Sequence, residues 1–480
     1  MNMTIPMDNV IALLPEMIIA AFACLVLMFD LMLPQGRKNP LAWFSLAGVA
    51  LAAFATFRLT HQHISAFADT FQVDPFSNFF KLLFYLIVAL VILMSRAYLQ
   101  QDRIHIGEYY HFILLVLTGM MIMVSATDLM TVYMGLELVS VTLYIMAAMK
   151  RYESRSTEAG LKYFVLGSFS SAVLLYGMSL IYGVTGTTNL AAIGAFLGDG
   201  VPNSAATVGL IMMVVGLAFK VAAAPFHMWA PDVYEGSPTP ITAFMSVAPK
   251  AAAFAVILRV MLEAFGGMKS DWEAIFTVIA VLTMAVGAVL ALVQTSLKRM
   301  LAYSSIGHAG YALIGVVVGD ALGTFSVMYY LVIYAVMNLG AFAIIIMLRN
   351  QGLMGEELDD LKGLSRTHPW AALFMLVFMF SLAGIPPTAG FIAKFYIFMA
   401  AINAGYILLA IAGALLAAVS AYYYIRVIVV MYMQEPETDH VLTAPAGLRL
   451  ALVFSLLFVI GLGVFPDPLA DFAQQAILSF

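Results

Sequence analysis

The stretch GLAFKVAAAPFHMWAPDVYEGSPTPITAFMSVAPK, residues 216–250, decides the fold. It places Lys220 and Lys250 in apolar sequence, each without an acidic residue within one helical turn. An unpaired lysine at the centre of a membrane-spanning helix costs roughly 2.5–3.5 kcal/mol on insertion scales, so its presence there needs a functional reason. Pro225 follows Lys220 and frees a backbone carbonyl, which predicts a broken helix beside a polar cavity. We interpret this stretch as a centre that binds and releases protons.

The composition of the whole chain indicates a polytopic membrane protein. Of its 480 residues, 63% are hydrophobic and 10% are charged, and the mean hydropathy is +0.98. The net charge of -5 is small and dispersed, and no basic run suited to nucleic acid is present. The single cysteine, Cys24, excludes internal disulfides and cysteine-ligated metal clusters.

Fourteen apolar segments have the length of about 20 residues that a membrane-spanning helix needs. They predict an all-α polytopic membrane protein with 14 transmembrane helices, in which segments 7 and 12 are broken. Numbered in chain order, the segments cover residues 10–33, 41–61, 75–95, 108–125, 128–149, 158–184, 205–229, 239–264, 273–294, 299–319, 322–348, 367–400, 403–432 and 447–466.

The Lys and Arg residues between the segments predict which ends lie in the cytoplasm. Fourteen of them follow odd-numbered segments and three follow even-numbered segments. This excess predicts cytoplasmic connections after the odd-numbered segments and places both termini outside, on the opposite side of the membrane. The stretch WAPDVYEGSP after segment 7 is an acidic exception among the cytoplasmic connections. The fourteen are Arg37, Lys38, Arg96, Arg103, Lys150, Arg151, Arg155, Lys298, Arg299, Arg349, Lys362, Arg366, Arg426 and Arg449; the three are Arg58, Arg259 and Lys269.

Five lysines lie inside segments. Lys81 is about two turns into segment 3, so we expect its ammonium to extend to the membrane surface. Lys162 follows Glu158 by one helical turn, and this cytoplasmic-side pair fits a structural role as well as a functional one. For the remaining three, neither a carboxylate nearby in sequence nor a helix end accounts for the charge. We predict that these three transfer protons: Lys220, Lys250 and Lys394.

Glu137, at the midpoint of segment 5, is the deepest acidic residue in the predicted spans. It belongs to a polar set at positions i, i+4, i+7 and i+11, which share one helical face: Tyr133, Glu137, Ser140 and Tyr144. A hydrogen-bonded packing face would explain the tyrosines and the serine but would not require a carboxylate. We therefore predict that Glu137 takes part in proton transfer.

Segments 10 and 11 continue this polar axis. His308 is either a hydrogen-bonded core residue or a proton carrier, because histidine changes charge readily near neutral pH. Haem ligation is not expected, because the other seven histidines fall in connections or at segment ends. The polar positions are Ser304, His308 and Tyr311 in segment 10 and Tyr330, Tyr334 and Asn338 in segment 11.

The two halves of the chain correspond at an offset of five segments, and an odd offset inverts the direction of crossing. Glu137 in segment 5 precedes Lys220 in segment 7 by 83 residues. His308 in segment 10 precedes Lys394 in segment 12 by 86 residues. This pattern predicts inverted repeats. Lys220 precedes its proline and Lys394 follows its proline pair, so the sequence does not assign them the same depth. The helix breaks fall at Pro225 in segment 7 and at Gly384, Pro386 and Pro387 in segment 12.

Six motifs carry a resemblance to a known family. With them, the chain resembles subunit N of respiratory NADH-quinone oxidoreductase (complex I), in the antiporter-like membrane subunit family, over essentially its whole length. Lys394 in GFIAKF differs from the acid that the M subunit carries, and the sequence holds no long lateral helix like that of the L subunit. The motifs are ALLPEMIIAAFACLVLMFDL (12–31), MGLELVSVTLYIMAA (134–148), EAGLKYFVLGSFSSA (158–172), FKVAAAPFHMWAPDVYEGSPTP (219–240), SSIGHAGY (304–311) and SLAGIPPTAGFIAKF (381–395).

The composition predicts a single membrane domain over residues 1–480. The resemblance implies that this domain translocates protons in a bacterial inner (plasma) membrane, with both termini periplasmic, coupled to quinone reduction in other subunits. FMN, Fe-S clusters and quinone are expected in those partner subunits, and no cofactor or metal in this chain. The implied partners are other membrane-arm subunits of complex I, both antiporter-like and small, together with membrane lipids. The implied parts are an N-terminal three-helix segment (1–96), a first repeat of segments 4–8 (107–265), a second inverted repeat of segments 9–13 (272–432) and a C-terminal helix (446–480).

The resemblance also implies roles for individual residues. Glu137 would modulate Lys220, Lys250 would lie at the centre, Lys394 would lie toward the exit, and His308 would lie on the axis that joins them. Two alternatives stay open. A stand-alone cation/proton antiporter would use the same deep lysines but work without a redox partner. A quinone- or haem-binding redox subunit would show a visible or flavin spectrum.

Overall fold

The computed structural model describes residues 6–34, 38–102, 104, 106–198, 203–349, 356–436 and 444–477. The expectations for Arg37, Arg103, His105 and His440, and for both chain ends, lie outside these described residues. Within them the protein is a helical bundle with one short β-hairpin.

Among the described residues, twelve helices are long and apolar enough to cross a membrane, and they form segments 1–6, 8–11, 13 and 14. Segments 7 and 12 are each divided into two half-helices, named 7a, 7b, 12a and 12b. The uninterrupted bounds are Met7–Met32, Pro40–Arg58, Pro75–Gln101, Ile106–Ser125, Leu129–Ala147, Ser154–Thr185, Lys269–Leu292, Leu297–Val318, Ala321–Arg349, Ile407–Met433 and Ala446–Val464. Segment 8 runs as Thr239–Met245, Ala248–Arg259 and a π-helical turn at Val260–Ala264, and the half-helices are Ser204–Lys220, Trp229–Gly236, Pro369–Ala383 and Ala389–Asn403.

The break in segment 7 satisfies its backbone groups with protein partners. Half-helix 7a ends at Lys220, and the carbonyl of Phe219 accepts a hydrogen bond of 3.2 Å from the indole of Trp229. The backbone N–H of Ala224, just before Pro225, donates to the Thr283 hydroxyl of segment 9 at 2.9 Å. A freed backbone group in hydrocarbon costs several kcal/mol, so these contacts permit a break at membrane depth. The predicted break at Pro225 is present.

The break in segment 12 follows a left-handed residue. Gly384 has φ of +83°, and the Cβ of any larger residue there would lie 2.8 Å from the Lys394 side chain. Half-helix 12a therefore ends in a conformation that favours glycine. Both breaks contain a cis X-Pro bond, Ala224–Pro225 and Pro386–Pro387.

Connections after odd-numbered segments meet at one end of the bundle. Asp102, after segment 3, pairs with Lys150, after segment 5, at 2.5 Å and with Arg349, at the end of segment 11, at 3.2 Å. Glu356 in turn pairs with Arg349 at 2.8 Å and with Lys298, in the first turn of segment 10, at 3.2 Å. The connections after segments 3, 5, 9 and 11 therefore share one face, as the topology predicted from the sequence requires.

Connections after even-numbered segments meet at the other end. Strands β1 (Ile64–Ala66) and β2 (Phe71–Val73) form an antiparallel hairpin between segments 2 and 3. Phe71 of β2 forms a bridge with Ala126, after segment 4, and Asp128 forms one with Asn189, after segment 6. The hairpin was not predicted, because its strands are only three residues long.

Two sequence expectations need correction. The stretch WAPDVYEGSP is not a connection, because Trp229–Gly236 forms half-helix 7b. Proline at the third position is compatible with helix because the first turn needs no N–H donor there. The C-terminal helix expected over 446–480 is divided: one helix ends at Val464 and a shorter one covers Asp467–Gln475, separated by Pro466. Other short helices lie at Leu190–Gly198, Gly266–Met268, Leu358–Leu361 and Leu364–Thr367.

Candidate functional site

Lys220 is the last residue of half-helix 7a and is surrounded by hydroxyl groups. Its ammonium donates to Ser140 of segment 5 at 2.9 Å and to Ser171 of segment 6 at 3.1 Å. A cation at a helix C-terminus is favoured by the helix dipole. The structure therefore brings Lys220 and Ser140 of the predicted polar face into direct contact, and adds Ser171, which the sequence analysis missed.

Glu137 lies one turn before Ser140 on segment 5 and is half-buried. In the described part of the chain Lys220 bonds Ser140 and Ser171 and forms no ion pair with Glu137, whose Oε1 is buried without a hydrogen-bond partner. Tyr133 is also half-buried, and Tyr144 is buried against Gly167, where a Cβ would lie 2.1 Å from the tyrosine hydroxyl. The four residues share a face, as predicted, and Gly167 leaves the space for Tyr144.

Lys250 is buried in segment 8, with 2% of its surface exposed. Its ammonium donates to the hydroxyl of Ser305 at 2.8 Å and to the carbonyl of the same residue at 3.0 Å. Ser305 belongs to segment 10, so this contact joins the first half of the chain to the second. The sequence analysis named Ser304 and did not name its neighbour Ser305.

His308 is hydrogen-bonded through both ring nitrogens. Nδ1 lies 2.6 Å from the hydroxyl of Tyr330, and Nε2 lies 3.1 Å from the hydroxyl of Tyr424. Tyr424 also lies 2.5 Å from the hydroxyl of Ser304. The ring of His308 stacks on Tyr334 with centroids 4.8 Å apart. His308 is therefore a fully hydrogen-bonded histidine within the predicted polar axis, and Tyr424 of segment 13 is a member that the sequence analysis missed.

The polar axis of segment 11 reaches segment 8. Tyr334 donates to the backbone carbonyl of Ser246 at 3.3 Å, and Asn338 donates to the hydroxyl of Ser246 at 2.7 Å. Ser246 lies between the two helical parts of segment 8, four residues before Lys250. Segment 11 therefore fixes segment 8 close to Lys250.

Lys394 lies in half-helix 12b but contacts half-helix 12a. Its ammonium donates to the carbonyls of Leu382 at 3.1 Å and Ala383 at 2.8 Å, the last residues before Gly384. It also lies 5.0 Å from the ring centre of Tyr311, and that ring lies 6.0 Å from the ring of His308. Segment 10 therefore links Lys250, His308 and Lys394 through Ser305, Ser304 and Tyr311.

The pair of Glu158 and Lys162 is part of a larger charged network. Lys162 lies 2.7 Å from Glu158 and 3.0 Å from Asp232 of half-helix 7b. Asp232 also pairs with Arg299 of segment 10 at 2.9 Å. The pair is partly exposed, so it differs from the buried row of lysines.

Lys81 does not extend to the membrane surface, and the expectation was wrong. Its side chain is fully buried and pairs with Glu16 of segment 1 at 2.7 Å. Glu16 is 2% exposed, so Glu137 is not the only deep carboxylate. The signal was present: Glu16 follows Pro15 inside the first apolar segment. A buried charge is expensive unless it is paired, which the two residues achieve across segments.

Arg259 does not lie in a connection either. It is buried within segment 8 and pairs with Asp74 at 2.7 Å and with Glu263 at 3.1 Å. Asp74 caps segment 3, accepting a hydrogen bond from the backbone of Ser77. Asp74 and Arg259 are 185 residues apart in sequence, so spacing along the chain could not pair them.

Among the described residues, no group of three or more His, Cys, Asp or Glu side chains is arranged to hold a metal ion. The buried polar groups instead form a row of lysines, hydroxyls and one histidine in a helical bundle. Such a row can accept, hold and pass protons between neighbouring groups.

A protein family described as NADH:quinone oxidoreductase/Mrp antiporter, TM, matches residues 126–420, more than half of the chain. NADH-quinone oxidoreductase subunit N of Trichlorobacter lovleyi is 48% identical over 98% of this chain and 97% of its own length. NADH-quinone oxidoreductase subunit N 2 of Rhizobium meliloti is 48% identical over 97% of each chain.

Two solved structures share the fold. A chain of respiratory complex I from Thermus thermophilus with bound aureothin has a TM-score of 0.80 and 32% identity, over 95% of this chain and 98% of that one. A chain of the Mrp complex from Dietzia sp. has a TM-score of 0.85 at 20% identity, over 98% and 97% of the two chains, and shows similarity of fold.

The fold and the buried row of cations define an antiporter-like, multi-pass membrane subunit of a larger complex. Within that class, the chain belongs to the family of NADH-quinone oxidoreductase subunit N. The resemblance drawn from the six motifs is confirmed.

Proposed function

We propose that this chain is the proton-translocating membrane-arm subunit of a bacterial NADH-quinone oxidoreductase, and that protons move along its buried row. The row consists of Glu137, Lys220, Lys250, His308 and Lys394. Redox chemistry takes place in partner subunits, where FMN, Fe-S clusters and quinone are bound.

One observation carries the proposal: the buried row lysines bond to neutral oxygens. Of the ten lysines in the sequence, six lie within 4.0 Å of a carboxylate: Lys38, Lys81, Lys150, Lys162, Lys298 and Lys362. Among the described residues, the hydrogen-bond partners of Lys220, Lys250 and Lys394 are all hydroxyl or carbonyl oxygens. A hydroxyl or carbonyl hydrogen-bonds to an amine as well as to an ammonium. These lysines can therefore release a proton without leaving an unpaired carboxylate in the bundle.

The row is continuous across the second half of the chain. Ser305 joins Lys250 to segment 10, and two turns of that helix carry the contacts of His308 and Tyr311. Tyr311 then faces Lys394. Each neighbouring group offers a hydroxyl, an imidazole or an amine, which are the groups that exchange protons.

The chain is further proposed to contain fourteen transmembrane spans and two inverted repeats, segments 4–8 and 9–13. Among the described residues, twelve helices of membrane-spanning length and two divided segments support that count. The separation of odd and even connections to opposite ends supports the alternating topology. Lys220 is the last residue of half-helix 7a, and the ammonium of Lys394 bonds the last carbonyls of half-helix 12a; both features support the correspondence of the two repeats.

The excess of cations on the face formed by Lys150, Lys298 and Arg349 supports a cytoplasmic location for that face and periplasmic termini. Reporter fusions after Lys150 and after Lys298 should both report cytoplasm, and a periplasmic signal from either would overturn the topology. Partner subunits are other membrane-arm proteins, antiporter-like and small, and lipid covers the remaining apolar surface.

A stand-alone antiporter is less well supported, because the curated relatives at 48% identity carry the name of the oxidoreductase subunit. Purification distinguishes the two functions. The chain should co-purify with a redox-active peripheral arm, and the purified assembly should reduce quinone with NADH.

The proposal is tested with Lys250→Met in the assembled complex. Proton pumping in membrane vesicles should fall by about tenfold or more, as for loss of an acid–base group. Lys269→Met is the matched control, because Lys269 bonds only the carbonyls of Val318 and Gly319 at the end of segment 10. Normal pumping by assembled Lys250→Met would contradict the proposal.

A further inference from the structure

Half-helix 7b, Trp229–Gly236, is held by ion pairs from the opposite half of the chain. The guanidinium of Arg299, in the first turn of segment 10, lies 2.9 Å from Asp232 and 2.6 Å from Glu235. Asp232 and Glu235 are three residues apart and so share one face of the half-helix. One side chain of segment 10 therefore contacts both carboxylates of half-helix 7b.

The residue before Arg299 holds the backbone of the same half-helix. The ammonium of Lys298 is 2% exposed and donates to the carbonyls of Glu235 at 2.9 Å and Ser237 at 2.8 Å. It also lies 3.2 Å from the carboxylate of Glu356. The carbonyls at a helix end lack partners within the helix, so Lys298 caps the carboxyl end of half-helix 7b.

We propose that Lys298 and Arg299 are positioning residues for proton transfer. Together with Asp232 and Glu235 they form a clasp, named the 7b clasp, by which the second half of the chain holds half-helix 7b in place. Neither cation belongs to the buried row. Each acts on the row through the helix that it holds.

The opposite end of half-helix 7b contacts the residue beside Lys220, so the position of this half-helix affects the surroundings of Lys220. Trp229, its first residue, donates to the carbonyl of Phe219, the residue directly before Lys220. Its ring also stacks on Tyr163 with centroids 4.5 Å apart. An eight-residue helix is about 12 Å long and rigid, so a change at the clasp moves the groups beside Lys220.

Segment 10 connects the clasp to Lys250, because it carries both Lys298 and the hydrogen-bond partner of Lys250. Ser305, which bonds Lys250, follows Lys298 by seven residues, or about two helical turns, and so shares its face. The carboxylate of Glu356 also accepts a hydrogen bond of 3.1 Å from Thr239, the first residue of segment 8. Lys298 of the clasp pairs with Glu356, and Glu356 in turn bonds segment 8. Through Glu356 the clasp therefore fixes segments 8 and 10 at the register in which Lys250 reaches Ser305.

The two cations of the clasp differ in exposure. Arg299, Asp232 and Glu235 border a cavity of about 260 Å³ and are about one-third exposed. Exposed ion pairs contribute little to stability, whereas a buried ammonium with three acceptors contributes more. We expect substitution of Lys298 to have the larger effect.

The test uses the assembled oxidoreductase with Lys298→Met, Arg299→Gln and Arg299→Lys. Arg366→Gln is the matched control, because Arg366 forms an exposed pair with Glu435 outside the clasp. Three quantities are measured: hydrogen exchange of the backbone over residues 219–236, protons pumped per electron, and the amount of assembled complex. Only the pumping measurement rests on the proposed function. The hydrogen-exchange measurement tests the clasp whether or not the chain translocates protons.

Lys298→Met should raise exchange over residues 219–236 by about tenfold, as expected for loss of a buried charge-assisted contact. It should also lower the number of protons pumped per electron. Unchanged exchange in the assembled variant would overturn the clasp, whether or not Lys220→Met stops pumping. If Lys298→Met does not assemble, the Arg299 variants decide: Arg299→Gln should raise hydrogen exchange over residues 219–236 and lower the number of protons pumped per electron, and Arg299→Lys should do so less. Equal exchange in those two variants would overturn the clasp.

Discussion

The ammonium of Lys394 lies 2.8 Å from the backbone carbonyl of Ala383, eleven residues earlier and on the other side of a helix break. A side chain from half-helix 12b thus occupies the end of half-helix 12a. Lys220 occupies the end of half-helix 7a as its last residue. Both lysines are therefore associated with the end of a first half-helix. Lys220 lies in the chain before its helix break, whereas Lys394 lies after its helix break.

The first prediction concerns the space that Gly384 leaves for the Lys394 side chain. In Gly384→Ala the new Cβ would lie 2.8 Å from the Lys394 side chain and would displace it. Gly405→Ala is the matched control, because its φ of +89° resembles the +83° of Gly384 but its Cβ meets no atom within 4 Å. Both variants should lose about 1–2 kcal/mol from the left-handed backbone. Only Gly384→Ala should lose proton pumping in vesicles, and equal pumping by both would disprove a role for this contact.

The second prediction concerns the hydroxyl that faces His308. Tyr330→Phe removes the 2.6 Å contact to Nδ1 and leaves that nitrogen buried without its partner, at a cost of about 1–3 kcal/mol. Pumping should fall several-fold while the complex still assembles. Tyr329→Phe is the control, because the hydroxyl of Tyr329 has no hydrogen-bond partner in the described part of the chain. If both variants pump alike, His308 does not depend on Tyr330.

The third prediction uses pH and two neighbouring carboxyls outside the spans. The pKa of Glu356 lies below its ordinary 4.5: burial would raise it, but the charges of Lys298 and Arg349 outweigh burial. The pKa of Glu357 is raised above 4.5 by burial and by the carboxylate of Asp360. Glu356 therefore stabilises the fold above pH 4.5 and ceases to do so as the pH falls through its folded pKa, whereas ionised Glu357 destabilises the fold at neutral pH.

Glu356→Gln should accordingly lower the melting temperature of the purified complex at pH 7, and this difference should shrink as the pH falls below 4.5 toward the lowered folded pKa of Glu356. Glu357→Gln should leave the melting temperature at pH 7 unchanged or raise it. A drop of equal size for both variants would show that the two charges do not differ in this way.

The sequence predicts those parts of the site whose residues lie on the same helix, and it does not predict contacts between residues on different helices. The face that joins Glu137 to Ser140 and the face that joins Ser304 to His308 follow from helical spacing alone. The break at Pro225 follows from a missing donor. Contacts between segments do not follow from spacing, so the partner of Lys250, Ser305, was not identified.

The sequence also did not predict which charged side chains are buried. Lys81 and Glu16 are 65 residues apart, and each alone resembles a charge near a helix end. The sequence also predicts a connection for the acidic stretch that forms half-helix 7b, with Asp232 and Glu235 in it. Their partner is Arg299, more than sixty residues later. Paired charges can be buried where single charges cannot, and the pairing depends on the fold.

The fourth prediction tests the buried pair of Glu16 and Lys81. Glu16→Gln or Lys81→Met alone leaves one buried charge without its partner and should destabilise the subunit by about 3–5 kcal/mol. The double variant should recover most of that loss, because removal of a whole buried pair is often neutral. The amount of assembled complex in membranes measures both effects. A double variant as unstable as the sum of the singles would show that the two residues act independently.

The last prediction concerns Glu137 and Lys220. The ammonium bonds Ser140 and Ser171 rather than the carboxylate, so any effect of Glu137 acts through space from one turn along segment 5. An opposite charge favours the charged form of a lysine, and burial opposes it. Glu137→Gln removes the charge and keeps the shape, so proton pumping should fall sharply. Because pumping and redox turnover are proposed to be coupled, NADH-driven quinone reduction should fall with it.

Lys220→Met should cause the same loss, and the double variant should lose less than the two single losses summed, because residues that act as a unit are not additive. Assembly should survive in all three variants, since removal of a deep charge relieves an insertion cost. Ser171→Ala separates the hydroxyl contact from the charge effect, because it removes one neutral partner and leaves Glu137 in place. It should therefore reduce pumping less than Glu137→Gln does. Near-normal pumping by a fully assembled Lys220→Met complex would exclude this lysine from the proton path.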